Sequence, residues 1–287
     1  LRNGLVKVAY PVFVDGTEIP RSGLLPGALD DGTTYGVNRR MELASLIQSN
    51  PLFPKAVVNR LWAYFLGYGF TTPIDDFGSH NLPTHPALLD GLAQRFADDS
   101  YDLKSLMRWI VLSKPYSLTS RMEAESTKDV PDSGEQPHFS RFYVRQMQPE
   151  QLYNSLLVAT KADRSGSAER QDRWLSQFVI AFGTDEGDSS TTFNGTIPQI
   201  LMLFNGDLIQ AATSLDQDGF LDQIVATNRT NRDKINALYL AALARWPSMS
   251  ELRYANHLLL ARKGQVREAL QDVWWALLNS NEFILNH

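Results

Sequence analysis

The chain of 287 residues contains no cysteine. This absence excludes disulfide bonds, thiolate metal ligands, cysteine nucleophiles and a covalently attached c-type haem within the chain. Long apolar runs are missing as well, since none approaches the roughly 20 residues that span a bilayer. The chain opens at Leu1 without an initiator methionine or a signal-peptide pattern, which favours the expectation of a fragment or a mature product.

Positive charge is also scarce. The 27 basic residues are outnumbered by 32 acidic ones, and they form no Lys/Arg run. Because a nucleic-acid surface needs clustered cations to neutralise phosphates, nucleic acid is not an expected partner.

The nucleophile elbow, P-loop, GxGxxG, SxxK and HExxH motifs do not occur, so the standard hydrolase, nucleotide-binding and zinc-protease classes lack support. An enzyme is therefore not the favoured interpretation.

Apolar residues recur at helical spacing from Arg39 onward. Residues typical of N-caps or first turns predict where helices begin, namely Pro54, Thr84, Asp102, Pro149, Ser167, Thr196 and Ser248. Ser248 and Glu251 also have the separation of a capping box. The predicted fold class is all-α, a multi-helix orthogonal or antiparallel bundle of about ten helices.

The domain organisation is predicted from changes in composition. Residues 1–38 combine a strand-like stretch with a run rich in Gly, Pro and Asp, which predicts a short extended N-terminal segment. Residues 39–122 are predicted to form a first helical subdomain and residues 141–287 a second one. A polar, proline-containing linker over 123–140 separates them, although 39–287 as one domain stays open.

A polar loop between two predicted helices holds the main candidate site. Asp76, His80 and His85 are the candidate catalytic residues, and His80 and His85 are also weak metal-ligand candidates. Imidazole and carboxylate together suit Zn²⁺, and such a pair can act as a general base near neutral pH. However, Pro83 interrupts the spacing of the histidines, which matches no compact zinc signature. Turn capping and loop hydrogen bonds are the favoured alternative.

Arg60, Trp62 and Asn81 are candidate ligand-binding residues around the same loop. An arginine among apolar helical residues could bind a carboxylate or sulfate through two parallel hydrogen bonds. The favoured interpretation is an internal ion pair from Arg60 to Asp75 or Asp76, which would pin the loop to the helix.

Two adjacent tryptophans, Trp274 and Trp275, cannot point the same way on one helix.

A second acidic loop, residues 182–196, contains Asp185 and Asp188 as weak metal-ligand candidates. Hard cations such as Ca²⁺ take about six to eight oxygen ligands from loops of this kind. The spacing differs from an EF-hand loop, so a solvated turn is the favoured interpretation.

Six segments together resemble the planctomycete domain of unknown function 1553. They are NRRMELASLI (38–47), NPLFPKAVVNRLWAYFLGYGF (50–70), DDFGSHNLPTHPALLD (75–90), YDLKSLMRWIVLSKPY (101–116), GTIPQILMLFNG (195–206) and WALLNSNEFILNH (275–287). The resemblance implies a C-terminal module of a large protein in the periplasm or on the cell surface. Some family members carry a c-type cytochrome segment upstream, and sulfatase-like genes nearby suggest polysaccharide metabolism. No family catalytic residues carry over to this sequence.

The expected function is a helical binding or scaffolding module of a larger extracytoplasmic protein. Expected partners are upstream domains of the same polypeptide, a partner protein or polysaccharide, with no cofactor. The alternatives are an enzyme or metal-binding domain using residues 59–85, or an accessory domain to a c-type cytochrome partner. A pocket joining Arg60, Asp76, His80 and His85 would favour the enzyme, whereas internally satisfied side chains would favour the module.

Overall fold

The computed structural model describes residues 12–18, 39–123, 126–162, 167–182, 197–215 and 219–286. These residues form thirteen α-helices where about ten were predicted, and the all-α fold class is confirmed. The helices are α1 Arg39–Ser49, α2 Leu52–Leu66, α3 Pro86–Asp98, α4 Leu103–Val111, α5 Pro149–Thr160, α6 Ala168–Phe182, α7 Ile197–Asn205, α8 Asp207–Thr213, α9 Phe220–Ala226, α10 Asn231–Leu243, α11 Met249–Ala261, α12 Val266–Leu278 and α13 Asn281–Ile284.

Extended structure is confined to very short pieces in the described part of the chain. Strands β1 (Arg145–Gln146) and β2 (Leu285–Asn286) pair antiparallel, with Arg145 opposite Asn286. Of the predicted N-terminal segment, residues 12–18 form a turn closed by an antiparallel bridge between Val12 and Glu18. The remainder of that segment, and the cap predicted at Thr196, lie outside the described residues.

The chain divides into two compact units. Unit 1 consists of Leu1–Phe65 and Gly69–Leu112, and unit 2 consists of Leu66–Tyr68 and Ser113–His287. The subdomain and linker boundaries predicted from composition stay predictions.

Unit 1 is organised around α2, α3 and α4. Its buried apolar side chains include Val58, Trp62, Phe70, Leu89, Phe96, Leu106 and Ile110. The predicted cap of α4 is confirmed, because Asp102 accepts a hydrogen bond of 2.9 Å from the backbone N–H of Lys104. Helix α3 begins one residue later than predicted, with His85 at the N-cap and Pro86 in the first turn. Proline suits that position because a first-turn residue needs no N–H donor.

Unit 2 has a continuous apolar core drawn from helices α5 to α13. Trp274 is completely buried there, and its indole N–H donates to the carbonyl of Ala212 at 3.1 Å. Trp275 is partly exposed and rests against Phe204, with ring centroids 5.2 Å apart. The two adjacent tryptophans therefore face different surroundings, as their spacing predicted.

Arg245 joins three elements of unit 2. It donates to both carboxylate oxygens of Glu251 at the start of α11 and to both of Glu282 in α13. The predicted capping box between Ser248 and Glu251 is confirmed. Hydrogen bonds from Arg245 lower the pKa of Glu251 to about 2. Glu251 therefore ties the start of α11 to Arg245, which directly follows the C-cap of α10.

Candidate functional site

Asn59 anchors the polar loop that follows α2. Its side chain is completely buried and uses both of its amide functions. The Nδ2 group donates to Thr71 Oγ1 at 2.8 Å and to the carbonyl of Ile74 at 2.7 Å, while Oδ1 accepts from the backbone N–H of Phe70 at 2.5 Å. A buried amide with all these partners holds the loop backbone directly against the helix.

Gly69 makes this close approach possible. A Cβ atom at position 69 would lie 2.8 Å from Asn59 Oδ1 and 3.1 Å from the carbonyl oxygen of Thr71. Any side chain there would push the loop away from α2, because these distances are shorter than van der Waals contact. The glycine and the buried asparagine therefore act together.

The predicted ion pair between Arg60 and Asp75 is present, with Nη2 and Oδ2 2.6 Å apart. Its side chains are 64% and 66% exposed. Exposed ion pairs of this kind contribute roughly 0–1 kcal/mol, because water screens the charges and both side chains lose conformational freedom. The sequence predicted that Arg60 pins the loop to the helix. The ion pair is present, but the buried Asn59 makes the stronger connection between the loop and α2.

Asp76 and His80 form a carboxylate–imidazole pair inside the loop. Asp76 Oδ1 accepts from the backbone N–H of Gly78, and Oδ2 lies 2.9 Å from His80 Nε2. The Gly78 hydrogen bond first, and then the His80 hydrogen bond, lower the pKa of Asp76 below its ordinary value. Asn81 closes the loop by donating to the carbonyl of Asp76 at 3.0 Å. The imidazole of His80 remains 76% exposed.

His85 has a different environment from His80. Its Nδ1 lies 2.9 Å from Thr84 Oγ1, and its ring approaches Phe70 edge-on with centroids 6.2 Å apart. The two histidines therefore engage separate partners. Across the described ranges, no group of three or more His, Asp or Glu side chains is arranged to hold a metal ion. Asp185 and Asp188 lie outside those ranges, so their assignment as metal ligands stays a prediction.

Trp62 is buried and packs on Phe70, with ring centroids 4.7 Å apart. A tryptophan in this position supports the fold of unit 1 and presents almost no surface to a ligand. None of the cavities described in either unit is lined by Arg60, Asp76, His80 or His85. Arg60 on α2, Asp76 and His80 in the loop and His85 at the start of α3 therefore share no cavity among those described.

Asp129 is a buried acid that the sequence did not reveal. Its carboxylate accepts hydrogen bonds from the backbone N–H groups of His138 and Ser140, from Ser140 Oγ and from the Tyr143 hydroxyl. Burial raises the pKa of Asp129, but the hydrogen bonds from Tyr143, Ser140 and His138 outweigh it and leave the pKa below its ordinary value. Burial, followed by the bond to Asp129, raises the pKa of Tyr143. This cluster organises residues 129–143.

No helix in the described part of the chain is both long and apolar enough to cross a bilayer.

No curated protein and no solved structure matches the chain. Residues 39–177 match the sequence model of PSD1, described as a protein of unknown function (DUF1553). The predicted resemblance to the domain of unknown function 1553 is therefore confirmed over this range, which includes α1 to α5 and most of α6, while the planctomycete origin stays a prediction. Over residues 39–177, just under half of its length, the chain is similar to the DUF1553 family of proteins of unknown function.

Proposed function

We propose that the chain is a non-catalytic helical binding or scaffolding module of a larger extracytoplasmic protein. The observation that carries this proposal is the internal engagement of the polar loop after α2. Asn59 and Asp76 direct their polar atoms to groups of the loop itself. A catalytic acid or base must instead reach a proton on the substrate, so this arrangement suits a structural brace better than a reaction centre.

Exposed aromatic side chains in unit 2 support the binding role. Trp246 is 64% exposed and Tyr254 on α11 is 76% exposed, with the exposed Met249 between them in sequence. Large flat rings with a polar edge contribute strongly to binding of sugars and proteins. The family resemblance implies three possible ligands, which are polysaccharide, an upstream domain of the same polypeptide and a partner protein. All three form part of the proposal.

The Asp76–His80 pair favours a second candidate function, an enzyme or metal-binding domain using residues 59–85. The carboxylate orients an imidazole whose ring is mostly exposed, which is the arrangement a general base or a single metal ligand requires. The proposal of an accessory domain for a c-type cytochrome rests on the family resemblance alone.

Affinity electrophoresis tests the binding role. The protein is run in native gels containing neutral or acidic polysaccharides, and the chain length of each polysaccharide is measured after prolonged incubation with the protein. A polysaccharide-binding module is retarded and leaves the polysaccharide at its original length. Shortening that disappears in His80→Ala would establish the enzyme instead. Absence of retardation in every gel would exclude polysaccharide as the ligand.

Metal analysis of the purified protein and of His80→Ala and His85→Ala tests the second candidate directly. The module proposal expects no stoichiometric metal in any of the three proteins. Stoichiometric metal that is lost in His80→Ala, while the circular dichroism spectrum is unchanged, would overturn it.

A further inference from the structure

Helix α6 carries two arginines that line a cavity in unit 2. The cavity has a volume of about 490 Å³, and its lining consists of Arg170, Arg173, Trp174, Asp207, Gln210, Ala211 and Ser214. Small-molecule sites commonly have volumes of about 300–1,000 Å³, so the space suffices for one compact ligand. Arg170 and Arg173 are three residues apart, and this spacing places them on one side of the helix.

Both guanidinium groups are available to a ligand. Each arginine is exposed, and no ion pair or side-chain hydrogen bond engages either one within the described residues. Three other arginines of unit 2, namely Arg245, Arg262 and Arg267, each hold a carboxylate at 3.1 Å or less. The cavity thus contains cationic groups that the fold leaves uncompensated by a direct contact.

The other lining groups narrow the chemistry of the ligand. Helix α8 contributes Asp207 and Gln210, both of them exposed. The indole of Trp174 is almost completely buried behind this lining. Two guanidinium groups and one carboxylate give the lining a net charge of +1. Beside these charges, Gln210 Oε1 can accept from a ligand hydroxyl group, while Gln210 Nε2 donates to the carbonyl of Asn205 at 2.9 Å.

We propose that this cavity binds a hydroxylated monoanion through its oxyanion group, which is a carboxylate, a sulfate monoester or a phosphodiester. The planar guanidinium fork matches such groups with two parallel hydrogen bonds. The carboxylate of Asp207 accepts from ligand hydroxyl groups and disfavours a second negative charge. This inference deepens the proposed function by assigning a site and a ligand class, and it rests on the chain being a binding module.

Isothermal titration calorimetry at low ionic strength tests the assignment with four probes: glucuronate, inorganic sulfate, inorganic phosphate and glucose. Glucuronate is expected to bind most tightly because it offers both an oxyanion and hydroxyl groups, and uncharged glucose is expected not to bind. Arg170→Gln and Arg173→Gln should each weaken oxyanion binding about tenfold, since each loses charged hydrogen bonds. Stronger binding of sulfate or phosphate than of glucuronate would overturn the assignment of a hydroxylated monoanion.

Two variants separate a built site from general charge attraction. Arg232→Gln removes an exposed arginine in the first turn of α10 and should leave binding unchanged. Arg170→Lys with Arg173→Lys keeps both charges but removes the forks, and it should weaken binding as glutamine does. Circular dichroism checks that each variant is folded.

Failure of all three oxyanions to bind, or equal binding by the Arg170→Gln, Arg173→Gln double variant, would overturn the inference. Retardation of the parent protein by a neutral polysaccharide would still support the proposed function in that case. The two failures are therefore distinguishable.

Discussion

Replacement of Asn59 by alanine should destabilise unit 1 by about 3 kcal/mol. The parent side chain is completely buried and makes three hydrogen bonds of 2.5 to 2.8 Å within the unit. Each bond contributes roughly 1 kcal/mol net, and the substitution also removes the acceptor of a buried backbone N–H. Asn59→Asp should be at least as damaging near neutral pH, because a carboxylate oxygen would then face the carbonyl of Ile74.

Urea unfolding measures this loss through far-UV circular dichroism and through tryptophan fluorescence, to which the buried Trp62 beside the loop contributes as one of six tryptophans. With a urea dependence of about 1–3 kcal/mol per molar, a loss of 3 kcal/mol lowers the midpoint by about 1–3 M. The chain has two compact units, so the transition assigned to unit 1 should move while the other stays in place.

Arg60→Gln is the matched control for Asn59→Ala, since it changes the neighbouring residue of α2. Its ion pair with Asp75 is largely exposed, so the variant should lose no more than about 1 kcal/mol. The reasoning is refuted if Asn59→Ala unfolds at the parent midpoint, or if Arg60→Gln is the more damaging of the two.

Three further substitutions have defined outcomes. Gly69→Ala should cost about 1–3 kcal/mol in thermal unfolding, because the new methyl would lie 2.8 Å from Asn59 Oδ1. Asp129→Asn should cost about 2–3 kcal/mol in urea, because an amide replaces one accepting oxygen. The native pKa of Asp129 is lowered, so the parent should lose this stability as the pH falls below the ordinary aspartate pKa, and the variant should lose less. Glu251→Gln should cost about 1 kcal/mol at pH 7. It should also flatten the loss of stability between pH 4.5 and about 2, since the folded pKa of Glu251 is about 2 and its ordinary value is 4.5.

Each of these outcomes can fail in its own way. A melting temperature of Gly69→Ala equal to that of the parent would mean that the loop relaxes without cost. Equal acid sensitivity of Asp129→Asn and the parent would show that another group dominates acid unfolding. A pH profile of Glu251→Gln parallel to that of the parent would place the pKa of Glu251 near its ordinary value.

Local patterns predicted the long helices well, and they missed the short ones. Ten helices were predicted, and the three that were not are α8, α9 and α13, of seven, seven and four residues. Two turns or fewer are too short to show a helical period, and isolated helices of this length are not stable in water. These three pack against α12, so tertiary contacts stabilise them.

Helix caps were likewise predicted correctly where the capping contact is local and incorrectly where a distant contact competes with it. Asp102 and Ser248 were recognised because their side chains bond backbone N–H groups two or three residues away. At α3 a threonine was the expected cap, but Thr84 places its hydroxyl on His85 and its backbone N–H on the carbonyl of Phe70. The contacts of Thr84 with His85 and Phe70 therefore prevail over the local preference of threonine for the N-cap.

The side chains that hold the candidate site together depended on distant partners. Charge alone suggested the pairing of Arg60 with Asp75 across the loop. Nothing local indicated that Asn59 would reach residues 11 to 15 positions further along the chain. Asp129 similarly binds groups 9 to 14 residues away in a segment without periodicity.

By itself, the sequence determined the all-α class, the long helices and the family resemblance confirmed over residues 39–177, because periodicity, caps and motifs are local. Only the tertiary structure decided that Asn59 braces the loop and that Arg170 and Arg173 share a cavity with Asp207. Those outcomes depend on which surfaces pack together, and packing sets burial and hydrogen-bond partners between residues far apart in the chain.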